Sequence, residues 1–246
     1  MCRIVTVLIV IALAPICAFA GPPLLTDDTG TPGPGKWEIN VGFSGEKGTA
    51  QSQYEVHMLD LNYGVGEHIQ LKYELPWVFL NDKEEGSKNG LGNSTFGVKW
   101  RFLDEDRHGI AMSVYPQVEF NNPTSSANRG IVLKGPTFIL PLQWEKKIGL
   151  VNVNTELGYA FRQQPDQNYW LYGLVFGYKI KENLEGLLEF HGNADKEFKR
   201  HEVVYDVGFR WDFNKTYGLQ ASVGSSFHHA SDQPYLIFYI GLQFRL

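Results

Sequence analysis

The side chains that could do chemistry in this 246-residue sequence recur at alternate positions. Lys72 sits two before Glu74, Lys99 two before Arg101, Asp206 four before Arg210, and Tyr239 six before Arg245. In an extended chain that spacing places them on one face. The acids on such rows are Glu38, Asp60, Glu74, Glu119, Glu145, Glu156, Glu189 and Asp206; the bases are Lys72, Lys99, Arg101, Lys179, Arg210 and Arg245. A face of this kind supports two outcomes. The charges pair into a cross-braced wall, or they line a path and select what passes along it. Tyr115, Tyr169, Tyr235 and Tyr239 share these rows and add an apolar ring with a polar tip. Nucleophile and metal chemistry are less well spaced. Ser225-Ser226 precede His228-His229, but a nucleophile and its base converge from different elements, and no G-x-S-x-G turn occurs. His191, His201, His228, His229 and Asp232 fall in two loop regions without the spacing of a metal site. The sequence therefore nominates no catalytic residue, no metal and no cofactor.

The rows opposite are apolar. Trp37, Ile39, Val41 and Phe43 alternate with Glu38, Asn40, Gly42 and Ser44; Phe96, Val98, Trp100 and Phe102 alternate with Thr95, Gly97, Lys99 and Arg101. The same period of two repeats along the chain, giving about twelve strands of roughly 9–11 residues, the length a tilted membrane strand needs. Connections alternate between short (65–68, 103–108, 146–149, 181–183, 212–216) and longer, more polar stretches (44–53, 81–93, 121–134, 162–168, 193–200, 228–234). Tryptophan adds a second signal. Trp37, Trp100, Trp144 and Trp211 fall near short turns, Trp77 and Trp170 near long loops, as expected of two membrane-interface girdles. The expected fold is an all-β, transmembrane, antiparallel up-and-down barrel with both termini on the short-turn, periplasmic side. The competing reading is a soluble periplasmic β-protein, since sandwiches also alternate. The weakest strands are 54–63, whose alternation skips near Met58, and 184–190.

Arg3, the apolar run 4–16 and Ala18-Phe19-Ala20 form a secretory signal peptide, expected to be cleaved after Ala20. Cleavage removes both cysteines, Cys2 and Cys17, so the exported chain has no disulfide to stabilise it. A net charge of −5 with no basic run argues against nucleic acid. Residues 21–35, "GPPLLTDDTGTPGPG", are too rich in Pro and Gly for a regular element. They either plug the lumen or extend into the periplasm. Residues 36–246 make the barrel.

The last residues, 236–246, form a complete alternating strand ending in Phe244 and Leu246. An edge left unpaired in lipid costs several kcal/mol per group, so this strand is expected to close against the first. It is also the segment expected to engage the barrel-assembly machinery. Elsewhere, "TDDTGTPGPGKWEIN" at 26–40, "LDLNYGVGEHIQLKYELP" at 59–76, "GLGNSTFGVKWRFL" at 90–103 and "VYPQVEF" at 114–120 resemble the bacterial outer-membrane proteins grouped under the meta-pathway of phenol degradation. One departure is Asn93, where that group's pattern leads one to expect an acid. The resemblance implies a barrel passing small organic molecules and brings no catalytic residues. The expected role is thus an outer-membrane channel for small solutes, organic or aromatic ones among them, diffusing through a charged lumen. The alternatives are a plugged structural or ligand-binding barrel without flux and, less favoured, a hydrolase.

Overall fold

The computed structural model describes residues 23–121, 126–227 and 234–246. The signal peptide, Gly21, and His228, His229 and Asp232 of the metal reading lie outside the described residues.

Twelve antiparallel strands close into one barrel. They are β1 (Trp37–Lys47), β2 (Gln51–Val65), β3 (Ile69–Asp82), β4 (Gly86–Leu91 and Ser94–Leu103), β5 (Ala111–Val114 and Gln117–Phe120), β6 (Thr137–Ile148), β7 (Val151–Arg162), β8 (Tyr169–Lys181), β9 (Leu184–Asp195), β10 (His201–Asp212), β11 (Tyr217–Ser226) and β12 (Leu236–Arg245). Each pairs with its neighbour in sequence, and β1 pairs with β12 from Glu38↔Arg245 to Lys47↔Leu236. The seam ends in two reciprocal 2.9 Å bonds, Trp37 N to Leu246 O and Leu246 N to Trp37 O. No strand edge is left open at the seam.

Three irregularities have local causes. In β2 the register shifts between His57 and Leu59, so the skip near Met58 is a β-bulge. β4 breaks at Gly92-Asn93 and shifts by one residue against β3. β5 breaks at Tyr115-Pro116, where proline supplies no N–H, yet Pro116 O still accepts from Val98 N at 3.0 Å.

Burial alternates along each strand, as in the iBiBiBiBiBeBei pattern of β3. The outward row is apolar all round the barrel and includes Val41, Phe96, Leu140, Leu157, Val207 and Ile240, each at least 41 % exposed. Val65–Ile69, the four-residue helix α1 (Glu105–His108) and other tight turns join strands at the end where β1 begins and β12 finishes. Two of the expected long loops are corrected. Most of 44–53 and 81–93 is strand, leaving tight turns at 48–50 and 83–85, because β2 and β3 stay paired from Val65↔Ile69 to Gln51↔Asp82.

Candidate functional site in the lumen

Residues 23–30 run inside the barrel, and 31–35 cross its rim at the turn end, where Thr31 Oγ1 donates to Glu67 O and Gly35 N to Gly64 O. Of the two placements expected for 21–35, the contacts of the described residues favour the lumen. The segment has no regular hydrogen-bonding pattern of its own, so its backbone groups need partners from the wall. Leu25 N and Thr26 N donate to the two oxygens of Glu189 on β9, at 2.9 and 2.5 Å. Asp27 O accepts from Asn154 Nδ2 on β7 at 2.8 Å, and Thr29 Oγ1 donates to Glu145 on β6 at 2.8 Å. Pro23 O accepts from Ser222 Oγ on β11 at 2.7 Å. Lys99 on β4 is the main ionic anchor. Its Nζ lies 3.1 Å from Asp27 Oδ1, donates to Asp28 O at 2.7 Å, and sits 4.8 Å from the Tyr115 ring centroid. Arg210 on β10 reaches Asp28 at 3.7 Å. Two wall glycines make room: a Cβ on Gly173 would fall 1.8 Å from Thr26 Oγ1, and one on Gly64 1.8 Å from Gly33 O.

Beside the segment lies a polar network on β1–β4. Lys72 Nζ is 3.1 Å from Glu74 and 3.8 Å from Asp60. Asn40 and Asn62 each donate to Asp60 at 3.0 Å. Gln70 donates to Asn62 at 2.8 Å and reaches the Tyr115 hydroxyl at 3.5 Å. Within the network, Ser44 Oγ is 3.0 Å from His57 Nε2, and His57 Nδ1 is 2.8 Å from Glu74 Oε1. That order matches a nucleophile, base and orienting acid. Ser44 is only 1 % exposed, however, and Glu74 is shared with Lys72. The array serves packing and charge balance in this conformation.

At the long-loop end the lumen opens into a cavity of about 260 Å³. Leu25, Glu156 and His191 border it on the segment's side, and 130–133 border it from the loop between β5 and β6. Its wall joins apolar Val78, Leu80, Ile139 and Leu171 to Glu55 and Glu119. Asn93 holds the rim. Its Nδ2 donates to Glu119 at 2.6 Å, and its Oδ1 accepts from Asn121 Nδ2 at 2.8 Å. Asn121 in turn bonds Leu133 O at 2.9 Å and Gly135 N at 2.7 Å. The departure from the expected acid at 93 thus has a local reason: a carboxylate there would face Glu119.

The structure separates the residues nominated from sequence into three groups. Asp60, Lys72, Glu74, Lys99, Tyr115, Glu156, Glu189, Asp206 and Tyr239 are buried inside the barrel. Glu38, Glu119, Glu145 and Arg210 face inward and are partly exposed. Three cations at the turn end differ from the expected lining. Arg101 bonds Asp104 and Glu67 O, Arg245 pairs with Asp212, and Lys179 is exposed beside the β8–β9 register shift. They close or flank turns, because the strands end there. Among the rim tyrosines, Tyr169 is buried under Arg162, whereas Tyr235 is exposed beneath Lys47. Trp37, Trp100 and Trp211 are exposed on the outward row at the turn end; Trp77, Trp144 and Trp170 are half-buried on the same face. Sequence reasoning missed His57, Val78, Leu80, Ile139 and Leu171, and weighed His191 only as a metal ligand. Their positions continue the inward rows, but where both rows are apolar, alternation does not tell inside from outside.

A family model described as "Uncharacterised conserved protein UCP029691" matches residues 73–246. No curated protein matches the sequence. Among solved structures, the fold is similar to the COG4313 outer membrane channel from Pseudomonas putida F1, with TM-score 0.70 and 14 % identity over 91 % of this chain and 99 % of that one. It is also similar to the NanC porin, at TM-score 0.57 and 9 % identity over 85 % of this chain and 100 % of that one. The translocator domain of the autotransporter NalP from Neisseria meningitidis matches at TM-score 0.57 and 8 % identity, over 85 % and 88 %. At these identities the likeness establishes the barrel fold, and the fold alone does not choose among the roles of its relatives.

Proposed function

This chain belongs to that uncharacterised conserved family, and from its geometry we propose an outer-membrane channel for small molecules whose N-terminal segment constricts the lumen. The observation that carries the reading is the way residues 23–35 are held. They attach to β4, β6, β7, β9, β10 and β11 mainly through ion pairs and hydrogen bonds, and water can replace such bonds one at a time. Leu24 adds apolar packing against Val175 and Leu187, the kind of contact on which a permanent structural core would be expected to rest mainly. The apolar outer face suits a bilayer, and the tryptophans on it suit the two interfaces. With the end where β1 begins and β12 finishes placed in the periplasm, as is usual for such barrels, the cavity faces the outside and the segment lies between it and the periplasm. Export with cleavage after Ala20 belongs to this reading, and the patterned β12 is the signal read during insertion. Charged inner walls and the segment together decide what diffuses through. The resemblance to the phenol meta-pathway group favours organic solutes.

Flux of small solutes into liposomes carrying the mature chain, with and without residues 21–35, tests this. Higher flux after the deletion is expected. No flux from either form, with the barrel confirmed as folded, refutes the channel and leaves the second reading, a ligand-binding barrel, which the enclosed cavity favours. A hydrolase is disfavoured by the burial of Ser44.

A further inference from the structure

The carboxylates inside the barrel fall into two sets. Around the segment, several acids have fixed cations or bonds from the segment itself: Glu74 has Lys72, Asp27 has Lys99, and Glu189 and Glu145 accept from Leu25, Thr26 and Thr29. At the cavity they do not. Glu55, Glu119 and Glu156 each accept from a neutral amide, Gln53, Asn93 and Gln143, at 2.8, 2.6 and 2.7 Å. Among the described residues, no lysine or arginine nitrogen lies within ion-pair distance of any of the three. Glu55 and Glu156 are more than nine-tenths buried. The amides fix the direction of each carboxylate without neutralising it. A desolvated carboxylate is neutralised either by a proton or by a cation, and the wall itself supplies no lysine or arginine to pair with these three.

The cavity has the size and lining to bring that partner in. An apolar cavity of about 150 Å³ is enough for benzene, so about 260 Å³ accommodates a substituted ring. Val78, Leu80, Ile131, Ile139 and Leu171 supply the apolar surface, and all five are buried. Arg162 is the one lysine or arginine on the lining, and its guanidinium is held 5.1 Å from the Tyr169 ring centroid. His191 also lines the space, Lys72 is engaged by Glu74 and Asp60, and four carboxylates in all face the cavity or its floor. An organic anion meets one cation against that excess; a cation meets the reverse.

We propose that this vestibule binds small organic cations, an ammonium group carried on an aromatic or short aliphatic body. The ammonium sits among Glu55, Glu119 and Glu156, and the body lies against Val78, Leu80 and Leu171. The inference deepens the channel reading by naming its substrate class, and it rests on that reading for the claim that the bound cation is a permeant.

The test compares benzylammonium, benzyl alcohol and benzoate, which share a ring and differ in charge. Binding to the full mature chain in detergent is measured by calorimetry, beside flux of the same three into liposomes. Benzylammonium is expected to bind at least about tenfold tighter than benzyl alcohol, the range of one charge-assisted hydrogen bond, and benzoate most weakly. The triple variant Glu55→Gln, Glu119→Gln, Glu156→Gln is expected to remove the preference. Equal binding of alcohol and ammonium by the unaltered chain overturns the inference without recourse to any variant. So does a preference that survives in the folded triple variant, since the site then lies elsewhere. Flux without cation preference also overturns it and leaves the channel standing. Cation preference in binding with no flux of any solute, even without residues 21–35, upholds the site and refutes the channel.

Discussion

Lys99→Met separates the segment's docking from the barrel's stability. The lysine side chain is 2 % exposed and contributes an ion pair to Asp27, a second contact to Asp28 at 4.0 Å, and a hydrogen bond to Asp28 O. Methionine keeps the packing against Tyr115 and removes the charge. Breaking a buried pair by deleting one partner costs about 3–5 kcal/mol, because the other charge remains desolvated. That cost falls on docking, since Asp27 regains water when the segment leaves, whereas the strand ladders are untouched. The ratio of undocked to docked chains therefore rises by roughly 10²–10⁴. Single-channel conductance in planar bilayers reads this as more frequent or longer open events. The double variant Lys99→Met, Asp27→Leu supplies the control. Replacing both partners of a buried pair by apolar groups is often neutral, so the double variant should return toward wild-type conductance. Two results refute the reasoning. One is a folded Lys99→Met barrel that conducts like wild type. The other is a double variant as open as the single, which would show that the pair is not what holds the segment.

Gly173→Val places a side chain where Thr26 Oγ1 now sits, and proteolysis of the segment in folded barrels is expected to accelerate at least about tenfold, while Gly186→Ala, whose added carbon meets only the Ile180 side chain, leaves it unchanged. Val207→Arg puts a charge on the middle of the outer face and should lower refolding stability in lipid vesicles by about 2–4 kcal/mol, against little change for Val207→Leu. Asn93→Asp sets a second carboxylate against Glu119 and should destabilise by about 1–3 kcal/mol the contacts through which Asn121 holds 133–135; faster amide exchange in that loop is the readout, and unchanged exchange sinks the account. A fluorophosphonate probe should leave Ser44 unlabelled in the intact barrel, and stoichiometric labelling would revive the hydrolase.

Most of the barrel was legible in the order of residues. Trp37 to Phe43 and Phe96 to Phe102 announce their outward rows because side-chain direction in a strand alternates with every residue, a purely local rule. The closing pair of β1 and β12 followed from the same rule plus the cost of an open edge in lipid. The rule weakened where strands end and where both faces are apolar. Lys179, Arg101 and Arg245 obey the parity of their rows but lie beside turns, and Val78, Leu80, Ile139 and Leu171 resemble outward residues although they face the cavity. The expected loops 44–53 and 81–93 were polar enough to suggest loops, yet β1 to β4 extend through most of them because each strand supplies its neighbour's backbone partners.

The sequence by itself determined the strand period, the apolar outer face, the polar inner rows and the closing strand. These depend on neighbours one or two residues apart. Only the tertiary structure decided where residues 23–35 go, since Leu25 meets Glu189 across 164 positions and nothing local in "GPPLLTDDTGTPGPG" encodes that contact. It alone brought Ser44, His57 and Glu74 from three strands into one array, and left Glu55, Glu119 and Glu156 around a cavity without fixed cations. Strand alternation sets which way a side chain points. Barrel closure and register set which residues it meets, and the chemistry of the lumen follows from those meetings.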